Sequence, residues 1–159
     1  MTTNTAGVAA TFAAVLALVT APAAAQAPRA TTSPGDAVTY LPADKVNAAF
    51  AKGLPILETG TYKVTAGRRD RDGQAEVHAR DTDIMYVLEG TATLVTGGQV
   101  VGGKSTAADE IRGDAITGGD ARPLVKGDVI IIPNGVPRLF KDVKPPFLYY
   151  VVKVTSPRP

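Results

Sequence analysis

The sequence of 159 residues contains no cysteine, and it has a single histidine. The absence of cysteine excludes disulfides, thiolate metal ligands and thiol nucleophiles, so the stability of the fold must come from packing. The sequence also lacks a strong excess of either positive or negative charge, because 17 basic and 15 acidic residues give a formal net charge of +2. These charges are interleaved along the chain, so we predict neither a nucleic-acid partner nor an anionic membrane surface as partner.

Charged side chains are also missing from the N-terminal leader, and Arg29, which follows it, is the first charged residue of the sequence. The leader carries an apolar run rich in alanine and leucine, which Pro22 interrupts before three consecutive alanines. That pattern is typical of a secretory signal peptide, and the run is too short for a comfortable transmembrane helix. We therefore predict a signal peptide over residues 1–25, a flexible arm over residues 26–37, and a periplasmic or secreted protein that has no membrane contact after cleavage.

The remaining residues, 38–159, have the pattern of a single all-β domain. One short helix is expected between Pro42 and Gly53, where apolar residues recur at helical spacing before a glycine. From Leu54 onward, short runs of β-branched residues are separated by glycine-rich turns. Short strands at this spacing, without a second long helical pattern, predict an all-β sandwich or barrel.

Three segments inside this domain carry local predictions. The glycines at 97–98 can take the positive φ angles of a two-residue turn, which predicts a hairpin there. The segment 102–113 lacks strand alternation and is predicted to be an inserted loop. The segment 68–73 has charges of both signs and is predicted to be a solvated loop.

Two further segments resemble the two signature motifs of the cupin superfamily. In the first, E-V-H-ARDT-D-IMYVLE-G, His78 stands at the second histidine of the family motif, Asp83 at its glutamate and Gly90 at its closing glycine. In the second, G-DVIII-P-N-G-VP-R, both glycines and the first proline keep the family spacing, and Arg138 stands where the family has a histidine. The resemblance covers residues 62–154 and implies a double-stranded β-helix, or jelly-roll, barrel around an internal pocket.

The resemblance also implies which side chains face that pocket. Glu76 stands at the first histidine of the family motif, and it shares a strand face with His78 because the two are separated by one residue. By the same alternation, Met85 and Val87 should point inward after Asp83, and Phe140 should point inward after Arg138. The predicted pocket is therefore lined by Glu76, His78, Asp83, Met85, Val87, Arg138 and Phe140.

In typical cupins these four motif positions hold a metal ion, and one of the three expected histidines remains here. Glu76, His78 and Asp83 are a chemically sensible donor set for one Fe(II), Mn(II) or Zn(II) ion. Arg138 opposes a metal, because a guanidinium has no lone pair and repels a dication. The alternative is a metal-free network in which Arg138 pairs with the carboxylates. The sequence leaves open whether the cofactor is a divalent metal or absent.

Three functions follow from these side chains, each with a small-molecule ligand. The first is an isomerase, epimerase or lyase-type enzyme that acts on a small polar or anionic metabolite such as a sugar acid or keto acid. In it His78 is the general acid or base, because histidine ordinarily titrates near neutral pH. Glu76 or Asp83 then orients the ring, and Arg138 holds a substrate carboxylate. The second is a non-catalytic module that binds a small ligand, and the third is a metal-dependent enzyme that uses Glu76, His78 and Asp83.

The apolar C-terminal strand FLYYVVKV also raises the question of self-association. It could pair with a second copy of the chain in a homodimer, which would cover an exposed strand edge. Equally, both of its faces could be buried within the monomer.

Overall fold

The computed structural model of the chain describes residues 1–2 and 37–158. The predicted signal peptide beyond Thr2 and the predicted arm up to Asp36 lie outside the described residues. Among the residues that are described, no helix has the length and apolar character needed to cross a membrane.

The described chain forms one helix followed by eleven strands, which confirms the predicted all-β class with a short N-terminal helix. Helix α1 spans Ala43–Lys52 and ends at Gly53, whose backbone N–H donates to the carbonyl of Ala49. The strands, in chain order, are β1 (Pro55–Glu58), β2 (Tyr62–Arg69), β3 (Ala75–His78), β4 (Asp81–Thr96), β5 (Gln99–Val101), β6 (Lys104–Ala107), β7 (Glu110–Gly113), β8 (Ala115–Thr117), β9 (Asp120–Leu124), β10 (Val129–Ile132) and β11 (Arg138–Thr155).

The two longest strands, β4 and β11, hold the barrel together because they pair antiparallel along most of their length. The other edge of β11 pairs with β2, and the other edge of β4 pairs with β9 and β10. Strand β3 joins the start of β11, and β7 and β6 follow β3 outward. The long strands thus change partners along their length, so nine strands form one continuous curled sheet, while β5 and β8 form a separate two-stranded sheet.

Strand alternation decides which side of this sheet is buried. Along β4, Asp83, Met85 and Val87 are buried, whereas the intervening Ile84 and Tyr86 are exposed. The buried side chains form an apolar core inside the barrel, and three aromatic rings at its centre pack with centroids 5.3 to 5.8 Å apart: Phe140, Phe147 and Tyr149. Apolar side chains therefore alternate along these strands because every second residue faces the core.

Gly90 lies where β11 leaves its regular register with β4. Its φ is +78°, and a Cβ there would stand 2.4 Å from the carbonyl oxygen of Pro146. Both the left-handed backbone and the close approach exclude a side chain, so the closing glycine of the first motif has a structural role in this barrel.

The C-terminal strand is paired on both edges within the chain. Residues 147–154 pair with β2 on one side and, from residue 148, with β4 on the other. Phe147, Tyr149 and Val151 on its inner face are also buried. No edge of this stretch is left for a second copy, and the predicted homodimer stays a prediction.

The hairpin prediction at residues 97–98 was wrong. The two glycines do take positive φ angles of 76° and 68°, yet β5 pairs with β8 and not with β4. The end of β4 has no free edge, because Thr96 already pairs with Asp120 on one side and with Arg138 on the other. The turn therefore directs the chain away from the main sheet.

The inserted-loop prediction for residues 102–113 was wrong as well. The segment forms a hairpin of β6 and β7, and β7 pairs with β3. The edge of β3 supplies backbone hydrogen-bond partners there, so tertiary pairing outweighs a weak local strand pattern.

Candidate functional site

Strand pairing brings four buried polar side chains to one place inside the barrel. Glu76 and His78 lie on β3, and Arg138, the first residue of β11, pairs directly with Glu76. Asp83 reaches the same place from β4. All four are buried, with Asp83 1% exposed and His78 and Arg138 4% exposed, and we call them the inner cluster.

Arg138 is the centre of the inner cluster. Its Nη2 lies 3.1 Å from Oε2 of Glu76 and 3.0 Å from Oδ2 of Asp83. The same nitrogen is 2.7 Å from each ring nitrogen of His78. Burying two carboxylates without a cation would be costly, so the guanidinium supplies the compensating charge.

The His78 ring lies between Arg138 and a second cation, Lys153 of β11. Lys153 Nζ is 2.9 Å from Nδ1 and 3.0 Å from Nε2 of the ring. The two ring lone-pair directions diverge, so a nitrogen equidistant from both ring nitrogens can donate to at most one of them. Nδ1 also lies 3.2 Å from Oδ1 of Asp83. The tautomer that donates Nδ1–H to Asp83 leaves Nε2 as the acceptor for Lys153 or Arg138.

The pKa values of two of these groups are shifted. Burial alone would raise the pKa of Asp83, but the hydrogen bond with His78 and the charges of Arg138 and Lys153 outweigh it and lower that pKa. The pKa of Lys153 is lowered, chiefly by burial, with the nearby Arg138 charge adding to the effect and Asp83 and Glu76 opposing it. Asp83 is therefore held as a carboxylate at neutral pH.

The second carboxylate oxygen of Glu76 faces outward to two more arginines. Arg112 Nη1 lies 3.0 Å from Glu76 Oε1, and Arg112 Nε lies 2.5 Å from Glu110 Oε1. Arg69 Nη2 is 3.9 Å from Glu76 Oε1, which is an ion-pair contact but not a hydrogen bond. Glu76 thus links the inner cluster to basic side chains nearer the surface.

A cavity of about 270 Å³, which we call the barrel cavity, opens beside the inner cluster. Its wall contains apolar side chains of the core together with five basic side chains and two carboxylates: Arg68, Arg69, Arg112, Arg138, Lys153, Glu76 and Asp83. Half of the fourteen lining residues are charged, so this wall is more polar than that of the usual small-molecule site. The excess of basic groups favours an anionic occupant.

Five of the seven predicted pocket residues line the barrel cavity: Glu76, Asp83, Met85, Arg138 and Phe140. Val87 instead packs in the apolar core. His78 lines a neighbouring cavity of about 650 Å³, and Lys153 lines both cavities. Lys153, like Arg138 and Asp83, therefore connects the His78 ring to the barrel cavity.

A separate groove of about 520 Å³ lies along β9 and β10, lined by side chains such as Leu124, Ile130 and Ile132. None of the inner cluster lines this groove. We place the candidate site at the barrel cavity because buried, converging charged groups are there.

The inner cluster does not fit a metal ion at the family position. Arg138 Nη2 lies within 3.1 Å of donor atoms of Glu76, His78 and Asp83, so it occupies the point on which these donors converge. A guanidinium neither deprotonates nor offers a lone pair, so it cannot join the donor set. In the part of the chain that the structure describes, no group of three or more His, Cys, Asp or Glu side chains is arranged to hold a metal. The geometry is that of an ion-pair network.

Four basic residues of the cavity wall were not predicted from the sequence: Arg68, Arg69, Arg112 and Lys153. Lys153 shares a strand face with Tyr149 and Val151, so the alternation of the C-terminal strand contained a usable signal. Arg112 lies in the segment predicted as an inserted loop. Arg69 lies in the segment 68–73, which was predicted as a solvated loop. In the structure Arg69 is the last residue of β2, and its side chain is largely buried.

Comparison with known proteins bears on the fold. A family model described as Cupin matches residues 31–158. No curated protein matches the sequence. Among solved structures, BH2720 from Bacillus halodurans is 14% identical, with 73% of this chain and 79% of that chain covered and a TM-score of 0.51.

Two further solved structures are similar at lower TM-scores. An uncharacterized conserved protein with a double-stranded β-helix domain from Klebsiella pneumoniae is 20% identical over 69% of this chain and 85% of that chain, with a TM-score of 0.47. KdgF from Halomonas sp. is 17% identical over 65% of this chain and 78% of that chain, also with a TM-score of 0.47. Identities this low bear on the fold alone, but the family match covers most of the sequence, and the chain therefore belongs to the cupin family.

Proposed function

We propose that this cupin binds a small anionic metabolite in the barrel cavity and does so without a metal ion. The observation that carries the proposal is Lys153. Its ammonium lines the cavity, yet within the described residues no carboxylate oxygen lies within 4.0 Å of it. A partly buried cation without an anionic partner is costly, and a bound anion would remove that cost.

The charge of the cavity wall supports an anion. Five basic side chains face two carboxylates, and each carboxylate already accepts from Arg138. Positive potential in a narrow, low-dielectric cleft is focused rather than screened, which raises the local concentration of anions.

The size of the cavity supports a small ligand. Its volume of about 270 Å³ is slightly below the range of about 300–1,000 Å³ that is usual for drug-sized ligands. A sugar acid or a keto acid is small enough for such a space, and the apolar wall provided by Met85, Phe140 and Val151 would contact its carbon skeleton.

A second candidate function is proton transfer to or from that ligand, and one contact chain favours it. Lys153 Nζ lies 3.0 Å from His78 Nε2, and His78 Nδ1, on the other side of the ring, lies 3.2 Å from Asp83 Oδ1. A group that lines the cavity is thus in contact with an imidazole–carboxylate pair, an arrangement used in general acid–base catalysis. In this function the Lys153 ammonium donates a proton to the substrate and regains one from Nε2 of a protonated His78, or the free amine takes a proton from the substrate and passes it to Nε2. The Asp83 carboxylate accepts the Nδ1–H hydrogen bond and orients the ring throughout.

Binding can be tested with probe anions and their neutral counterparts. Calorimetric titration with pyruvate and gluconate, compared with acetone and glucose, measures whether the cavity prefers a carboxylate. We expect the anions to bind at least about tenfold more tightly, and Lys153→Met to remove that preference. Arg122→Met on β9, whose side chain is exposed and lines the separate groove, is the matched control and should keep it. Equal affinity for anions and neutral probes would contradict the proposal.

The His78→Ala variant separates binding from catalysis. If the protein only binds its ligand, the variant keeps the affinity for the probe anions. If the protein transfers a proton, the wild type should exchange the hydrogen on the carbon next to the carboxylate or carbonyl of a bound keto acid for solvent deuterium. The His78→Ala variant should then lose this exchange while it stays folded. No exchange in the wild type with any keto acid tested would remove proton transfer and leave binding.

We also propose export of the protein, on the basis of the leader alone. Expression with the full leader and N-terminal sequencing of the mature protein tests this. Cleavage after Ala25 with recovery outside the cytoplasm is expected, and an uncleaved chain in the cytoplasm would contradict it.

A further inference from the structure

The basic side chains around the barrel cavity differ in how well they are paired. Arg68, Arg112 and Arg138 each have a nitrogen within 3.1 Å of a carboxylate oxygen. Lys153 has no such partner among the described residues, and the ion pair of Arg69 with Glu76 is 3.9 Å long. Two cations of the wall, Arg69 and Lys153, therefore retain capacity for an anion.

Arg69 is held in a fixed position by aromatic side chains. Its Nε donates to the hydroxyl of Tyr149 at 3.2 Å, and its Cζ lies 4.3 Å from the centroid of the Phe140 ring. Phe140 in turn stacks on Tyr149, with ring centroids 5.6 Å apart. These contacts use the face and the Nε of the guanidinium, and within the described chain neither Nη atom makes a hydrogen bond. Such a preorganised fork is suited to a two-point contact with a carboxylate.

Arg69 and Lys153 lie at opposite ends of one wall of the cavity. In the pairing of β2 with β11, Arg69 is opposite Phe147, and Lys153 is six residues further along β11. At about 3.3 Å per residue, the two backbone positions are about 20 Å apart. Their charges are closer together than that, because a chain of contacts of 3.9 Å or less links Arg69 to Lys153 through Glu76, Arg138 and His78. The wall between them consists of Tyr149 and Val151, which line the cavity with apolar surface.

From this arrangement we propose that the ligand is a small dianion, such as a dicarboxylate with a short carbon chain. One anionic group contacts Lys153, the other contacts the Nη atoms of Arg69, and the carbon chain lies over Tyr149 and Val151. The inference rests on the proposed function, because it assigns a second contact to the anion that the cavity binds. Arg69 is thereby a specificity-determining residue, since it distinguishes dianions from monoanions of equal length.

Matched ligand pairs test this inference. Succinate, glutarate and adipate are titrated against butyrate, valerate and hexanoate, each pair having the same number of carbons. In the wild type, the best dicarboxylate should bind at least about tenfold more tightly than its monocarboxylate partner, as is expected of one added charge-assisted contact. Arg69→Met should abolish that ratio while keeping the affinity for monocarboxylates. Arg69→Lys, which keeps the charge, should retain part of the ratio, and Arg122→Met should leave it unchanged.

The outcomes separate the inference from the proposed function. If monocarboxylates bind and every dicarboxylate binds no more tightly than its partner, the second subsite is overturned and the anion site stands. If the wild-type ratio persists in folded Arg69→Met, the second contact is assigned to the wrong residue and the inference is also overturned. If no carboxylate of either series binds, the proposed function itself fails.

Discussion

Removal of Arg138 should destabilise the protein by about 3 kcal/mol. The side chain is 4% exposed, and its Nη2 lies 3.1 Å from Glu76 and 3.0 Å from Asp83. Arg138→Met leaves two buried carboxylates without their shared cation, and losing one partner of a buried ion pair costs about 3–5 kcal/mol. The lower end applies because Glu76 keeps Arg112 at 3.0 Å and Asp83 keeps His78 at 3.2 Å.

Urea denaturation at neutral pH measures this free energy of unfolding, with the midpoint and the slope fitted separately. Arg138→Lys should recover part of the loss, since it keeps the charge but not the planar fork. The double variant Arg138→Met with Asp83→Asn should be less destabilised than the sum of the two single variants, because one unpaired charge has been removed with its partner. A loss below about 1 kcal/mol in Arg138→Met would refute the view that the guanidinium compensates the two carboxylates.

Three further predictions concern neighbouring positions. The lowered pKa of Asp83 means that its carboxylate adds stability above its unfolded pKa of about 3.9 and loses it as the pH falls through the lower folded value. The stability difference between wild type and Asp83→Asn should therefore be larger at about pH 7 than at about pH 3 in urea denaturation, and a constant difference would contradict this. Gly67→Ala should cost about 1–3 kcal/mol, since its Cβ would lie 2.5 Å from the Tyr149 ring, whereas Gly60→Ala, with nothing within 4 Å, is the control that should not lose comparable stability. Arg138→His should introduce zinc binding near one ion per chain, measured by calorimetry, because it replaces the central cation by a donor, and no gain over wild type would contradict the geometric argument.

The fold was predictable because the spacing of turn residues and the alternation of apolar side chains depend directly on the backbone geometry of a β-barrel. The glycines and proline of the second motif stand where this barrel has its turns, and the alternation along β4 matches its buried and exposed faces. Pairing between distant strands was less predictable. Nothing near residues 97–101 indicates that both edges of Thr96 are already occupied by β9 and β11, so the hairpin expected there did not form.

Of the candidate site, the residues of the inner cluster were predictable from the sequence, whereas the other basic residues of the cavity wall were not. Glu76, Asp83 and Arg138 were located by their spacing in the motifs, and strand alternation placed Met85 on the cavity wall. Lys153 was not predicted because the C-terminal strand is otherwise apolar, and an apolar strand is typical of a core and not of a site. Arg112 reaches Glu76 from β7, 36 residues away in the sequence, and no local pattern reports such a contact.

In this site Arg138 occupies the place that a metal has in typical cupins, and the proposed metal-free binding depends on it. The direct measurement is the metal content of the purified protein, determined by mass spectrometry after incubation with Fe(II), Mn(II) or Zn(II) and removal of the excess. With Arg138 Nη2 within 3.1 Å of donor atoms of Glu76, His78 and Asp83, we predict far less than one ion per chain for each metal. One tightly bound ion per chain that is lost in the His78→Ala variant would contradict it.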